Sequence, residues 1–194
     1  MLEFQPKIVV LGIGNLLLRD EGIGVQIVKM PSVIFCSCLI HQAELPNKLG
    51  NYYPNLAIID GGTSPEIMSL VEGADKLIII DAVKGGKEPG TIYRFTIDDV
   101  DLGSPCSAED CAAHKDTGLP LKQVQGYHKL SLHQIDIVDN LRMLSLIGKQ
   151  PKNIVIIGIE PGTIEPGLEL SSEIQSKIPE ITRLVRDEIR NTKP

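Results

Sequence analysis

The sequence predicts a three-layer α/β/α sandwich built on a mostly parallel, twisted sheet with one antiparallel hairpin strand. Three observations carry this expectation. Short apolar runs rich in β-branched residues, KIVVL, KLIIID and NIVIIGI, are the pattern of strands buried on both faces. Segments with helical spacing separate them, which favours parallel pairing through crossovers. Glycine or a carboxylate closes each run, as at the carboxyl ends of strands in open α/β sheets.

In chain order, Lys7 to Leu11 reads as the first strand, closed by Gly12. Ile23, Ile27 and Met30 recur at helical spacing until Pro31 stops the helix. Asn55 to Asp60 is the second strand and Gly61-Gly62 its turn. Ser64-Pro65-Glu66 has the form of a helix start, with Ser as N-cap and Pro at the first helical position. Lys76 to Asp81 is the third strand. Thr91 to Ile97 alternates after Pro89-Gly90, as an antiparallel partner does. Residues 99–126 lack periodicity and read as a long loop.

Ser131-Leu132-His133-Gln134 forms a capping box, and Ile137, Val138, Leu141, Leu144 and Ile147 extend it into an amphipathic helix. Asn153 to Ile159 is another buried strand. A second capping box spans Ser172 to Gln175. Ile174, Ile178, Ile181, Val185 and Ile189 line one face of the last helix, which Pro179 is expected to bend. Without a repeat or a linker, residues 1–194 are expected to form a single domain. A chain of this length can bury about 70% of its unfolded surface and needs no staple.

Composition removes several function classes. The net charge of −6 and the scattered Lys and Arg offer no basic face to a duplex or an anionic membrane. Aromatics at 4%, with no Trp, provide no stacking platform for single strands. No apolar run approaches the roughly 20 residues of a membrane span, and residues 1–6 do not resemble a signal peptide. Cys36, Cys38, Cys106 and Cys111 suit free thiols in a reducing cytoplasm. Their spacing matches no standard zinc module.

The strand ends direct attention to Asp20-Glu21, Asp60, Asp81 and Glu160. Glu21 stands where the first helix begins, a position the helix dipole favours for an anion. Asp81 ends an apolar strand and must find partners for its charge. The capping box places His133 near a helix N-terminus, where the dipole disfavours imidazolium and keeps the ring neutral, as metal ligation requires. Two carboxylates and an imidazole, with positions left for water, suit a borderline divalent ion such as nickel, zinc or manganese. Each residue also has an ordinary alternative: a solvated helix-start acid, a turn former, a surface cap. Asp60 before Gly-Gly is explicable as turn chemistry. Gly12-x-Gly14 is not a dinucleotide fingerprint, because Leu17 stands where the third glycine belongs.

The segments VVLGIGNLLLRDEGIGV (9–25), IIDGGT (58–63), LIIIDAVKGGKEPGTIYRF (77–95), SLHQIDIVDNL (131–141) and VIIGIEPGTIEPGLELS (155–171) occur in an order that resembles the nickel–iron hydrogenase maturation endopeptidases. The resemblance implies a compact, phosphorylase/hydrolase-like α/β/α fold. It implies an endopeptidase that removes the C-terminal extension of the hydrogenase large-subunit precursor after nickel insertion. It also implies that Glu21, Asp81 and His133 contact nickel, which the substrate supplies. For hydrolysis two routes stay open: Asp81 or Glu21 activates a water as a general base, in the manner of an aspartyl protease, or does so through the metal. No Ser–His or Cys–His nucleophile pair is apparent. A cytoplasmic monomer is expected, with the precursor as partner and neither nucleic acid nor membrane insertion. One stretch departs from the family pattern: Pro31 cuts the first helix and SVIFCSCLIHQAELPNKLGNYY precedes the DGG strand. Two alternatives are a nucleotide-binding α/β module and a peptidyl-tRNA-hydrolase-like esterase. Leu17 weighs against the first and the acidic charge against both.

Overall fold

The computed structural model describes residues 7–30, 55–63, 68–96, 141 and 143–192. The helix start at Ser64, the run Val33 to Ile40, the loop 99–126, the capping box with His133, Ile137, Val138 and all four cysteines lie outside the described residues.

Five strands form one sheet: β1 (Ile8–Ile13), β2 (Leu56–Gly62), β3 (Lys76–Ala82), β4 (Ile92–Thr96) and β5 (Asn153–Ile159). Their spatial order is β2-β1-β3-β5-β4. All pairs are parallel except β4 with β5, where Tyr93 faces Gly158 and Phe95 faces Ile156. β1 and β3 are buried along their whole length, whereas β2 and β4 at the edges are half-buried. That difference matches the sequence, since the middles of the central runs, Ile8 to Leu11 and Leu77 to Ile80, are apolar and β4 alternates.

Alternate residues of each strand feed two cores. On one face Val10, Ile78, Ile80, Ile157 and Ile159 pack with α1 (Ile23–Val28) and α3 (Ser172–Arg190). On the other, Val9, Leu11, Leu77, Ile79 and Ile156 pack with Val71 of α2 (Met68–Val71) and with Leu141 and Leu144. The sheet is thus covered on both sides, the three-layer arrangement expected.

Local details depart from expectation in five places. β1 runs past Gly12 to Ile13, and Gly61-Gly62, expected as a turn, complete β2, because the parallel pairing continues to Ile13 opposite Gly62. Met30 falls beyond α1, which ends at Val28. Ile147 is 59% exposed, because the helical residues 143–146 give way to a turn closed by Gly148 at φ +68. The N-cap of α3 is Ser171, not Ser172, and α3 continues through Pro179 to Arg190.

At the amino end of the sheet, Lys76 is buried and its Nζ donates to Oε2 and the carbonyl of Glu188, at 2.7 and 2.8 Å. Arg94 Nε donates to the other oxygen of Glu188 at 2.6 Å. Burial raises the Glu188 carboxyl, but the hydrogen bonds and charges of Arg94 and Lys76 outweigh it and hold the group below its ordinary value. A depressed pKa stabilises the fold above the ordinary carboxylate range, and this is lost as pH falls through the lowered value. Glu188→Gln is expected to cost about 2 kcal/mol at neutral pH. Denaturant titrations should show the gap to wild type closing as pH falls through the carboxylate range.

Candidate functional site

The carboxyl rim of β1 and β3 is assembled backbone against backbone. A Cβ on Gly12 would run into the Gly24 carbonyl, and one on Gly14 into the Glu21 carbonyl. A Cβ on Gly24 would meet the carbonyl oxygens of both Ile80 and Ile13. Gly14 also holds φ +133, a conformation that L side chains rarely adopt. The glycines of GIGN…DEGIG therefore let the 3-10 turn Arg19–Gly22 and the start of α1 lie directly on the ends of β1 and β3. They are filled by the protein's own backbone, which explains why a Gly-x-Gly follows the first strand without a dinucleotide fingerprint.

This packing puts the two expected carboxylates on touching elements. Glu21 sits in the 3-10 turn, which packs against β3, and its Oε2 is shielded from solvent. Asp81, 1% exposed, is the penultimate residue of β3 and lies in register with Gly158 of β5. Its Oδ1 accepts the Ala82 amide at 2.8 Å. His133 lies outside the described residues, among which no group of three His, Cys, Asp or Glu is placed to hold a metal ion.

The other acids at strand ends have different tasks. Asp60 accepts the Gly62 amide at 3.0 Å and pairs with Lys29 at 3.0 Å on the surface, the turn chemistry its Gly-Gly context suggested. Asp20 is fully buried. Its Oδ2 accepts the amides of Gly162 and Thr163 and the Ser171 hydroxyl at 2.9, 2.7 and 2.8 Å, and its Oδ1 the Ser171 amide at 2.7 Å. Glu160, also buried, accepts amides from Gly85, Gly86 and Lys87 and the Tyr93 hydroxyl. Burial raises its carboxyl, yet Tyr93 and these three amides outweigh that and keep it below its ordinary value. Burial, reinforced by the Glu160 carboxylate, pushes the Tyr93 hydroxyl up to about 12. Glu160 thereby ties down the loop that leaves Asp81. Position at a strand end flagged both Asp20 and Glu160, but their partners come from distant segments and could not be read locally.

Two carboxylates on packed elements at the carboxyl rim of a parallel sheet can approach a cation with hard oxygen ligands, or hold a water and take its proton. Among the described residues no helix is long and apolar enough to cross a membrane.

The model of the hydrogenase maturation protease family matches residues 40–115 and 118–188. Hydrogenase 2 maturation protease of Escherichia coli (strain K12) is 30% identical over 174 residues, covering 89% of this chain and 84% of that protein. The hydrogenase expression/formation protein HupD of Thiocapsa roseopersicina is 30% identical over 179 residues, 91% of this chain and 65% of that protein. The match thus spans slightly less than two thirds of the length of that relative. Among solved structures, the hydrogenase maturating endopeptidase HybD from E. coli shares 28% identity and a TM-score of 0.64. That likeness covers 95% of this chain and 92% of the other.

Proposed function

The chain belongs to the hydrogenase maturation protease family, and from that membership we propose that it is an endopeptidase that removes a C-terminal extension from a nickel–iron hydrogenase large-subunit precursor once nickel is in place. The observation that carries the reading is the seating of the Glu21 turn on the end of β3, next to the strand end that bears Asp81.

On this reading the nickel is cargo that the substrate's own cysteines hold. The carboxylates of Glu21 and Asp81 and the imidazole of His133 approach it from the open side. Docking reports that the metal is loaded and brings the scissile peptide bond to the rim. One carboxylate then takes a proton from the attacking water. Two hard carboxylates and one imidazole make a weak, open site by themselves, and affinity rises only when substrate thiolates complete the coordination. We further take the chain to act as a single-domain monomer in the cytoplasm, a setting that would keep its four cysteines reduced.

The test incubates the purified protein with nickel-loaded and nickel-free precursor and follows the mass of the product. Only the loaded precursor is expected to lose its tail, and His133→Ala should slow that loss without unfolding the protein. Efficient cleavage of nickel-free precursor in the presence of a chelator would overturn the nickel-dependent mechanism.

A further inference from the structure

Asp20 and Glu21 are neighbours in one 3-10 turn, yet only Glu21 belongs to the candidate site. Asp20 is instead turned into the protein. Its carboxylate is fully buried and four donors converge on it. One of them, the Ser171 hydroxyl, belongs to the N-cap residue of α3, and it makes no side-chain cap bond to that helix. An N-cap bond is typically worth about 1 kcal/mol, so this serine forgoes its usual contribution to α3 in order to hold Asp20.

The preceding residue shows the same clamping. Arg19 adopts φ +49, a strained region for a bulky residue. Its amide donates to the Gly167 carbonyl at 3.0 Å, its Nε to the Glu169 carbonyl at 3.1 Å, and its Nη1 pairs with Glu165. The Asp20 amide reaches the Thr163 carbonyl at 3.2 Å. The segment 162–171 therefore grips the two residues before Glu21 through both backbone and side chains.

We propose that Asp20, held by Ser171 and the amides of Gly162 and Thr163, is a positioning residue that fixes the direction in which Glu21 presents its carboxylate to the substrate's nickel. This rests on the reading of Glu21 given above. The physical basis is the geometry of the turn: with about three residues per turn, anchoring one side chain inward sets the heading of the next. Asp20 touches neither substrate nor metal and acts only through Glu21.

The experiment is a double-mutant cycle on the full chain, using Glu21→Gln, Ser171→Ala and the combination, with Asp20→Asn as a stronger variant. Two quantities are read: the rate of cleavage of nickel-loaded precursor, and the affinity of the protein alone for Ni2+ by calorimetry. Thermal melts report folding. Ser171→Ala is expected to weaken both quantities several-fold while the protein stays folded, Tm falling by several degrees for the lost bond to a buried carboxylate, and Asp20→Asn roughly tenfold or more where it folds. In the Glu21→Gln background Ser171→Ala should have no further effect on either quantity, because the residue it orients is gone. Equal losses in both backgrounds, or no loss from a folded Ser171→Ala, would overturn the proposal. If instead Glu21→Gln alone leaves cleavage and Ni2+ affinity intact, the role given to Glu21 fails, and the positioning proposal fails with it.

Discussion

Asp81→Asn is expected to abolish useful processing, slowing cleavage of nickel-loaded precursor by roughly two to four orders of magnitude, the usual contribution of a positioned proton acceptor. The substitution keeps the shape of the side chain and an oxygen able to accept the Ala82 amide, now at 2.8 Å from Oδ1. What it removes is the negative charge. Asp81 lies inside a strand flanked by β1 and β5, so the backbone around it should not move. The loss should therefore appear in cleavage kinetics with Tm changed by only a few degrees. A folded Asp81→Asn protein that processes precursor at the wild-type rate would exclude Asp81 both as the proton acceptor and as an essential charge facing nickel.

Gly24→Ala is expected to be the most destabilising of the small substitutions. Its Cβ would meet the carbonyl oxygens of Ile80 and Ile13 together, and both belong to central strands that cannot yield. Overpacking of a tight core costs typically 1–3 kcal/mol and occasionally more, and contact with rigid backbone belongs at about 3 kcal/mol. At roughly 2–4 °C per kcal/mol for a chain of this size, Tm should fall by about 10 °C. The natural control is Gly86→Ala, where φ is +79 and no atom lies within 4 Å of the added Cβ. That change carries only the left-handed backbone penalty, about 1 kcal/mol. If the two variants melt at the same temperature, close backbone approach is not what the glycine at position 24 provides. Because the 3-10 turn rides on the same contact, processing should fall in the folded fraction of Gly24→Ala as well.

Local pattern determined the strands of this protein. The expected run Asn153 to Ile159 matches β5, and Lys76 to Asp81 stops one residue short of β3. Their middles are buried on both faces, so Leu77 to Ile80 and Ile154 to Ile157 are apolar without interruption. The same local signals marked the carboxylates at the strand ends and, through a family resemblance, the chemistry assigned to Glu21, Asp81 and His133. What the tertiary structure decided depends on partners far away in the chain. The strand order β2-β1-β3-β5-β4 is set by pairings between distant segments, which no local period encodes. The glycines at positions 12, 14 and 24 acquire their meaning only when two backbones meet. Adjacent acids have opposite fates for the same reason. Asp20 turns inward to donors 142 to 151 residues away, while Glu21 stays with the rim of β3. Nothing in the dipeptide distinguishes them, because a buried carboxylate is stabilised by donors that only the folded chain delivers.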